Sequence, residues 1–323
     1  MSEKSSLNQN SRNFFDINDY LAFCNEPRDT VETFRVNLSE GYYENTIFPF
    51  LPGIYVFLND VHTKRIPIDN LGDGIDFMII NYCISGRCEF RISENNFGYI
   101  KDYHTSIGPL MVSDAFHYPS GYYLGFEIYI LKDFFTAQTR EVLDLFCVDP
   151  ELLLSKYNAD YPLYIGSTSE KIQKLWMELY TAKTPKQGLI RLNILKILHS
   201  LLYEDPLTSP GIAYLTKKQS DIAKETHRIL TEDLGARIPM RKIAERFHIS
   251  ETSLKNYFSA VYGMPVSQYM TDLRMKQAAL WLSETNLPIS EIASACGYAN
   301  QGRFANVFRE YYGLRPLEYR HNL

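Results

Sequence analysis

The sequence has little cysteine, no long apolar run and no excess of positive charge. Five cysteines stand among 323 residues: Cys24, Cys83, Cys88, Cys147 and Cys296. The number is odd and no CxxC occurs, which argues against a disulfide framework and for free thiols in a reducing compartment. A redox or metal role for Cys83 and Cys88 stays open, although no second close pair of His or Cys follows at zinc spacing. Apolar stretches such as Phe77 to Ile80 and Ala278 to Leu282 are far too short to span a bilayer. Met1 to Asn13 are polar and carry no apolar signal core. These absences lead to the expectation of a cytoplasmic protein without a membrane partner. Lys and Arg number 33 against 38 Asp and Glu, a net charge of −5. Phosphate neutralisation draws on Lys and Arg, so the total by itself argues against nucleic acid.

What is present is ordinary globular composition, 45% hydrophobic and 22% charged. It excludes collagen-like, low-complexity and wholly disordered chains, and the length suggests two domains. Residues 1 to about 45 are polar and mixed and read as an arm. From Thr46 to about Leu131, β-branched and aromatic runs alternate with turn residues. Ile54–Leu58, Phe77–Ile84, Glu89–Ile92 and Tyr122–Leu131 read as strands of a small barrel or sandwich. From Lys132 the texture is helical, with helices expected at Phe134–Phe146, Pro150–Tyr157, Ser169–Ala182 and Gln187–Tyr203. In the last of these Leu189, Leu192, Leu195 and Leu202 recur beside a stripe of Ile190, Ile194, Ile197 and Leu201. That face is wide enough to pack on the barrel and on a partner copy, although a plain core helix reads equally well.

Asp205-Pro-Leu-Thr-Ser-Pro-Gly211 punctuates the chain as a linker. This divides it into a domain over 1–205, a linker over 206–216 and a second domain over 217–323. Beyond the linker the texture is all-helical, and the charge reverses. Residues 217–323 carry 15 Lys and Arg against 11 Asp and Glu, or +4, leaving −9 for the rest. The near-neutral total therefore hides an acidic first part and a basic second part.

The basic part contains an internal repeat with an offset of about 50 residues. Ile243-Ala244 matches Ile292-Ala293. Leu254, Phe258 and Tyr262-Gly263 match Phe304, Phe308 and Tyr312-Gly313, and Tyr269 matches Tyr319. Each unit reads as helix, turn, helix and a glycine stop. Ala244 and Ala293 are small where two helices cross. Gly297 suits a left-handed turn residue, and His248 holds the equivalent place, which His tolerates better than most residues. Ser250 is a natural N-cap. Val266–Leu282 reads as one connecting helix of about 25 Å. A rigid spacer of that length suits two helices in successive major grooves. Leu254, Phe258 and Val261 face inward in the first unit, and Phe304, Val307, Phe308 and Tyr311 in the second. Outward are Thr252, Ser253, Lys255, Asn256 and Ser259, then Gln301, Gly302, Arg303, Asn306 and Arg309. Asn, Gln, Arg and Lys are the side chains that read purine edges, whereas cations nearer helix ends hold phosphates. The alternative for each is a solvated helix surface.

With these residues in place the sequence resembles the AraC/XylS family of bacterial transcription regulators. The resemblance runs from about Asp221 to Arg320. It rests on Arg274-Met275, Ala278, Leu282, Ile289, Ile292-Ala293, Gly297-Tyr298, Phe304, Phe308, Tyr312-Gly313 and Arg315-Pro316 in fixed order. It implies a two-lobed DNA-binding domain whose reading sets are Thr252, Ser253, Lys255 and Asn256, then Gln301, Gly302, Arg303 and Asn306. Gly302 has no side chain to read with. The first part is similar to the cupin-like sensor domains of full-length family members, followed by a dimerising helix pair.

The expected fold class is therefore α+β: a small cupin-like β-barrel with a helical pair, then an all-α domain with two helix-turn-helix units. His62, His104 and His117 stand apart and form no His-x-His, so no metal and no catalytic residue is assigned. The barrel is rich in aromatics, and Tyr55, Phe77, Tyr82, Tyr103, Tyr122 and Phe126 are its candidate ligand wall, although aromatics also fill barrels. The expected protein is a dimeric regulator, an activator whose partners are promoter DNA, RNA polymerase and a second copy. It uses no cofactor beyond an unidentified small-molecule effector. Rival readings are a constitutive regulator with a ligand-free barrel, a cupin enzyme fused to a DNA-binding tail, and a sequence-indifferent architectural binder.

Overall fold

The computed structural model describes residues 30–68, 78–109, 115–158, 163–182, 187–204, 206–208 and 214–322. Cys24, Phe77, residues 1–29 of the expected arm, residue 205 and residues 209–213 of the linker lie outside the described residues. The chain divides into two compact units, Met1–Tyr214 and Leu215–Leu323.

Among the described residues of the first unit, ten strands precede the helices: β1 (Glu32–Leu38), β2 (Gly41–Leu51), β3 (Ile54–His62), β4 (Arg65–Pro67), β5 (Met78–Gly86), β6 (Cys88–Ser93), β7 (Asn96–Ile100), β8 (His104–Pro109), β9 (Ala115–His117) and β10 (Tyr123–Ile130). Helices α1 (Ala137–Leu145) and α2 (Pro150–Asn158), strand β11 (Tyr164–Ser167), and helices α3 (Glu170–Thr181) and α4 (Gln187–His199) follow. The chain leaves α4 through a wider π-type turn, Ser200–Glu204. The four strands and four helices expected here all occur, with shifted ends.

Two expectations change. The arm does not run to residue 45, because Glu32–Leu38 and Gly41–Leu51 pair as a hairpin. Thr-Phe-Arg-Val-Asn-Leu alternates as an edge strand should, but its few apolar residues made it read as polar. Gly41 makes the turn possible. It sits at φ +101°, and a Cβ there would lie 1.9 Å from the His62 carbonyl oxygen. Nor do the strands close into a barrel among the described residues. They form one antiparallel sheet in the order β1-β2-β3-β10-β5-β8-β11 and a second in the order β7-β6-β9-β4. Alternation specifies strands and faces, whereas closure depends on tilt and stagger between strands. Strand β9 and its partner β4 have three residues each, and Glu89 opposite His117 is the pairing that ties β9 to β6.

Strand β10 shows how the layers form. Leu124, Phe126, Ile128 and Ile130 point to one face of the large sheet and join Val56, Ile80 and Tyr82. Helices α3 and α4 cover that face with Ile172, Trp176, Leu179, Ile190, Ile194, Ile197 and Leu198. Ser169 caps α3 by accepting the Ile172 amide at 3.3 Å. Tyr123 and Tyr129 point to the other face, with Tyr55, Phe57 and Cys83, toward Ile92, Ile100 and Tyr118. Trp176 is fully buried, with Phe126 stacked on it at 4.8 Å and Tyr82 at 5.5 Å.

The second unit holds α5 (Lys217–Thr231), α6 (Met240–Arg246), α7 (Glu251–Tyr262), α8 (Val266–Glu284), α9 (Ile289–Ala295), α10 (Gln301–Tyr312) and α11 (Pro316–His321). The 19 residues of α8 span about 28 Å. No helix among the described residues is long and apolar enough to cross a membrane.

Replacing Trp176 with Ala leaves a cavity against Tyr82 and Phe126, so we expect the first unit to lose about 3–5 kcal/mol. Chemical denaturation of the variant measures this. A loss below about 1 kcal/mol would remove Trp176 from the centre of this core.

Candidate nucleic-acid interface

The site is built from two helix pairs, α6 with α7 and α9 with α10. In each, the chain must reverse within a few residues. His248 does so at φ 55° and Gly297 at φ 74°, the left-handed conformation that the repeat pattern requires at both positions. The amide of Ile249 then donates to the Ala244 carbonyl at 3.2 Å, and that of Tyr298 to the Ala293 carbonyl at 2.9 Å. Ala244 and Ala293 are both buried, which lets the helices approach closely.

The second helix of each pair starts on a side-chain cap. Ser250 Oγ accepts the Ser253 amide at 3.0 Å, and Asn300 Oδ1 accepts the Arg303 amide at 2.9 Å. Helices α7 and α10 each run 12 residues and stop at a left-handed glycine, Gly263 or Gly313. Gly263 donates to the Ser259 carbonyl and Gly313 to the Arg309 carbonyl, both at 2.8 Å.

An aromatic triad behind each helix repeats almost ring for ring. Phe258 lies 4.5 Å from Tyr262 at 33°, and Phe308 lies 4.7 Å from Tyr312 at 36°. Phe258 meets Tyr269 edge-on at 5.4 Å, and Phe308 meets Tyr319 edge-on at 5.3 Å. Tyr262–Tyr269 and Tyr312–Tyr319 stand 5.1 and 5.3 Å apart. Burial pushes the Tyr269 phenol up to about 12. Arg274, on the connecting helix α8, ties down the loop ahead of α6. Its Nε donates to the Leu234 carbonyl at 2.8 Å and an Nη to the Ala236 carbonyl at 3.2 Å.

This scaffold decides which side chains face outward. Leu254, Phe258 and Val261 are buried on α7, as are Phe304 and Phe308 on α10. Thr252, Lys255 and Asn256 are exposed, and so are Gln301, Gly302, Arg303, Asn306 and Arg309. Ser253 is half-buried, its hydroxyl 2.9 Å from that of the cap Ser250. Lys255 is paired with Glu251 one turn earlier, at 2.5 Å. Tyr311, expected inward, is 42% exposed, and Val307 is only half-buried. The triad leaves α10 a narrower inward stripe than its apolar residues suggested.

The candidate ligand wall does not converge. Tyr82 and Phe126 are buried against Trp176, with half-buried Tyr122 packed at the edge of the same core. Tyr55 lies in the core on the opposite face of the sheet. Tyr103 is 50% exposed at φ 61°, and Phe77 lies outside the described residues. Strand alternation separates Tyr55 from Tyr82, which counting aromatics could not reveal. The leucines of α4 also split. Leu189 and Leu192 are 58% and 37% exposed, whereas Leu195 and Leu202 are buried in the core. His62, His104 and His117 do not gather with other ligands into a metal-binding group among the described residues.

A buried polar network escaped the sequence reading. Glu127 lies on the tyrosine-rich face, and Asn81 Nδ2 donates to its Oε1 at 3.1 Å. The Tyr129 hydroxyl donates to its Oε2 at 2.8 Å, and the Tyr123 hydroxyl donates to Asn81 Oδ1. Asn45 donates to Asn59 in the adjacent strands. The signal was a lone Glu and a lone Asn inside otherwise apolar strands. Burial raises the Glu127 carboxyl, and bonds from Tyr129 and Asn59 partly oppose it. Burial likewise pushes the Cys83 and Cys88 thiols up, and that of Cys296 to about 11, so all three stay protonated at neutral pH.

A family model described as "Helix-turn-helix domain" matches residues 243–322. Over 92 residues the chain is 33% identical to the HTH-type transcriptional activator RhaR of Enterobacter sp. (strain 638), covering 28% of this chain and 33% of that protein. It is 27% identical over 116 residues to the uncharacterized HTH-type transcriptional regulator YtdP of Bacillus subtilis (strain 168), covering 36% and 15%. Residues 243–322, within the second unit, are an AraC-type helix-turn-helix domain. Among solved structures, the C-terminal domain of the two-component response regulator yesN from Fusobacterium nucleatum aligns at 30% identity with a TM-score of 0.29. That match covers 30% of this chain and 97% of the other. The chain thus spans a third or less of the length of both curated relatives. The match to the AraC-type domain takes in α7 to α10 whole, with both sets of outward residues.

Because burial raises the Glu127 carboxyl above its ordinary 4.5, its contribution to stability is full below the unfolded value. It is lost as pH rises through the folded one. We expect melting of the wild type to fall over that rise and Glu127→Gln to flatten the profile. Parallel pH–melting curves for the two proteins would refute the assignment.

Proposed function

We propose that the chain is a sequence-specific DNA-binding transcription regulator, with α7 and α10 as its recognition helices. One observation carries this reading. Two helices of equal length, capped, stopped and backed in the same way, each turn a polar stripe outward. On this reading, helix α8 spaces them for successive major grooves, about one duplex turn apart. Thr252, Ser253, Lys255 and Asn256 serve one half of the target, and Gln301, Arg303 and Asn306 the other. Arg309, two turns into α10, holds a phosphate. The modest net charge of this part favours specificity from placed side chains over bulk attraction.

The first unit is read as a cupin-like sensor, residues 1–205, joined by a linker over 206–216 to the DNA-binding domain over 217–323. A small molecule bound among its strands shifts the balance between two states, which requires unequal affinity for them. The helix pair α3–α4 is read as the homodimer contact, now through Leu189 and Leu192. Activation involves contact with RNA polymerase. A constitutive regulator with a ligand-free first unit predicts no melting shift with any metabolite. The effector reading predicts a rise of RT ln(1 + [L]/Kd) for one.

Arg303→Ala tests the recognition helices. We expect relaxed base preference at one position, costing about 1–3 kcal/mol on the preferred site if Arg303 reads a guanine. Arg309→Ala should instead weaken all sequences alike and lower the salt dependence by about one counterion. Binding titrations on matched and scrambled duplexes separate the two. Unchanged selectivity in Arg303→Ala counts against the assignment.

A further inference from the structure

The two recognition helices differ at almost every outward position. Placing Phe258 on Phe308 sets Thr252 against Gly302, Ser253 against Arg303, Lys255 against Ala305 and Ser259 against Arg309. Asn256 and Asn306 are the exception, the same residue at the same place. Each sits two residues after one fully buried anchor, Leu254 or Phe304, and two before another, Phe258 or Phe308. The triads behind them agree to within about 0.2 Å in ring spacing. The backbone at the two asparagines is therefore presented alike. Both side chains are exposed, and neither makes a hydrogen bond within the described residues. Their amides are free to pair with something else, whereas Lys255 is held by Glu251 and Ser253 by the helix cap.

We infer that Asn256 and Asn306 each read an adenine, so that the target carries one A·T pair in each of two successive major-groove segments, about 10 base pairs apart. A side-chain amide offers one acceptor and one donor side by side. Adenine presents the complement, a donor at N6 and an acceptor at N7. Guanine presents two acceptors, and the pyrimidines lack a matching pair. The flanking bases differ between the halves because the neighbouring side chains do. The inference rests on the recognition-helix reading proposed above and adds the identity of one base in each half.

The test is selection from a library of random duplexes with the full-length chain, Asn256→Ala and Asn306→Ala. Melting curves confirm that both surface variants fold. We expect the wild type to enrich sites with an invariant A·T pair at two positions about 10 base pairs apart. Each variant should lose about tenfold discrimination at one of them and keep the other. Sites without that pair, variants that keep both adenines, or variants that weaken every sequence equally would overturn the inference and leave the regulator reading standing. A wild type that enriches no sequence overturns the regulator reading, and this inference with it.

Discussion

The aromatic triad behind each of α7 and α10 is the contact on which the second unit depends. A phenylalanine from the middle of the helix, a tyrosine at its end and a tyrosine from the next helix meet at fixed angles. Edge-to-face and tilted pairs of this kind contribute about 0.5–1.5 kcal/mol beyond the area they bury. More important is what they constrain. The helix can neither roll nor slide without breaking two ring contacts, so its outward stripe is held at one angle. The left-handed glycine at each helix end turns the chain so that the third ring can return. In the first lobe, His227 adds a stacked ring 4.7 Å from Tyr262, and its Nε2 lies 3.0 Å from the Tyr269 hydroxyl. A repeated sequence thus becomes a repeated surface, and the outward residues can be compared position by position.

The first unit rests on a different device, one strand serving two cores. The apolar residues of β10 bind the helix pair, and its polar and aromatic residues face the second sheet. A carboxylate on that second face can remain only if its oxygens are paired and its charge is suppressed. Glu127 meets both conditions through Asn81, Tyr129 and burial itself. The layer between the sheets therefore holds a polar network centred on Glu127 inside an aromatic frame, unlike the aliphatic layer under the helices.

Much of this was readable in advance. The repeat, the left-handed turns at His248 and Gly297, the Ser250 cap and the connecting helix follow from residue types at fixed spacing, because they are local. The first hairpin carries little apolar signal, because edge strands need few apolar residues. The candidate ligand wall is divided for a related reason. Aromatic content alone assigns no residue to a face, and Tyr55 and Tyr82 fall on opposite sides of one sheet. Leu195 and Leu202 share a periodic stripe with Leu189 and Leu192, yet the core claims the first two.

The sequence by itself determined where the elements lie, how the chain divides in charge, and which helices repeat. These are properties of short windows and of self-comparison. Only the tertiary structure decided whether the sheets close, which face of each strand meets which layer, and which outward side chains are already engaged. Those questions turn on contacts between residues far apart in the chain. Asn256 and Lys255 are adjacent and equally polar in the sequence, and it took the fold to show one amide unpaired and one ammonium held by Glu251.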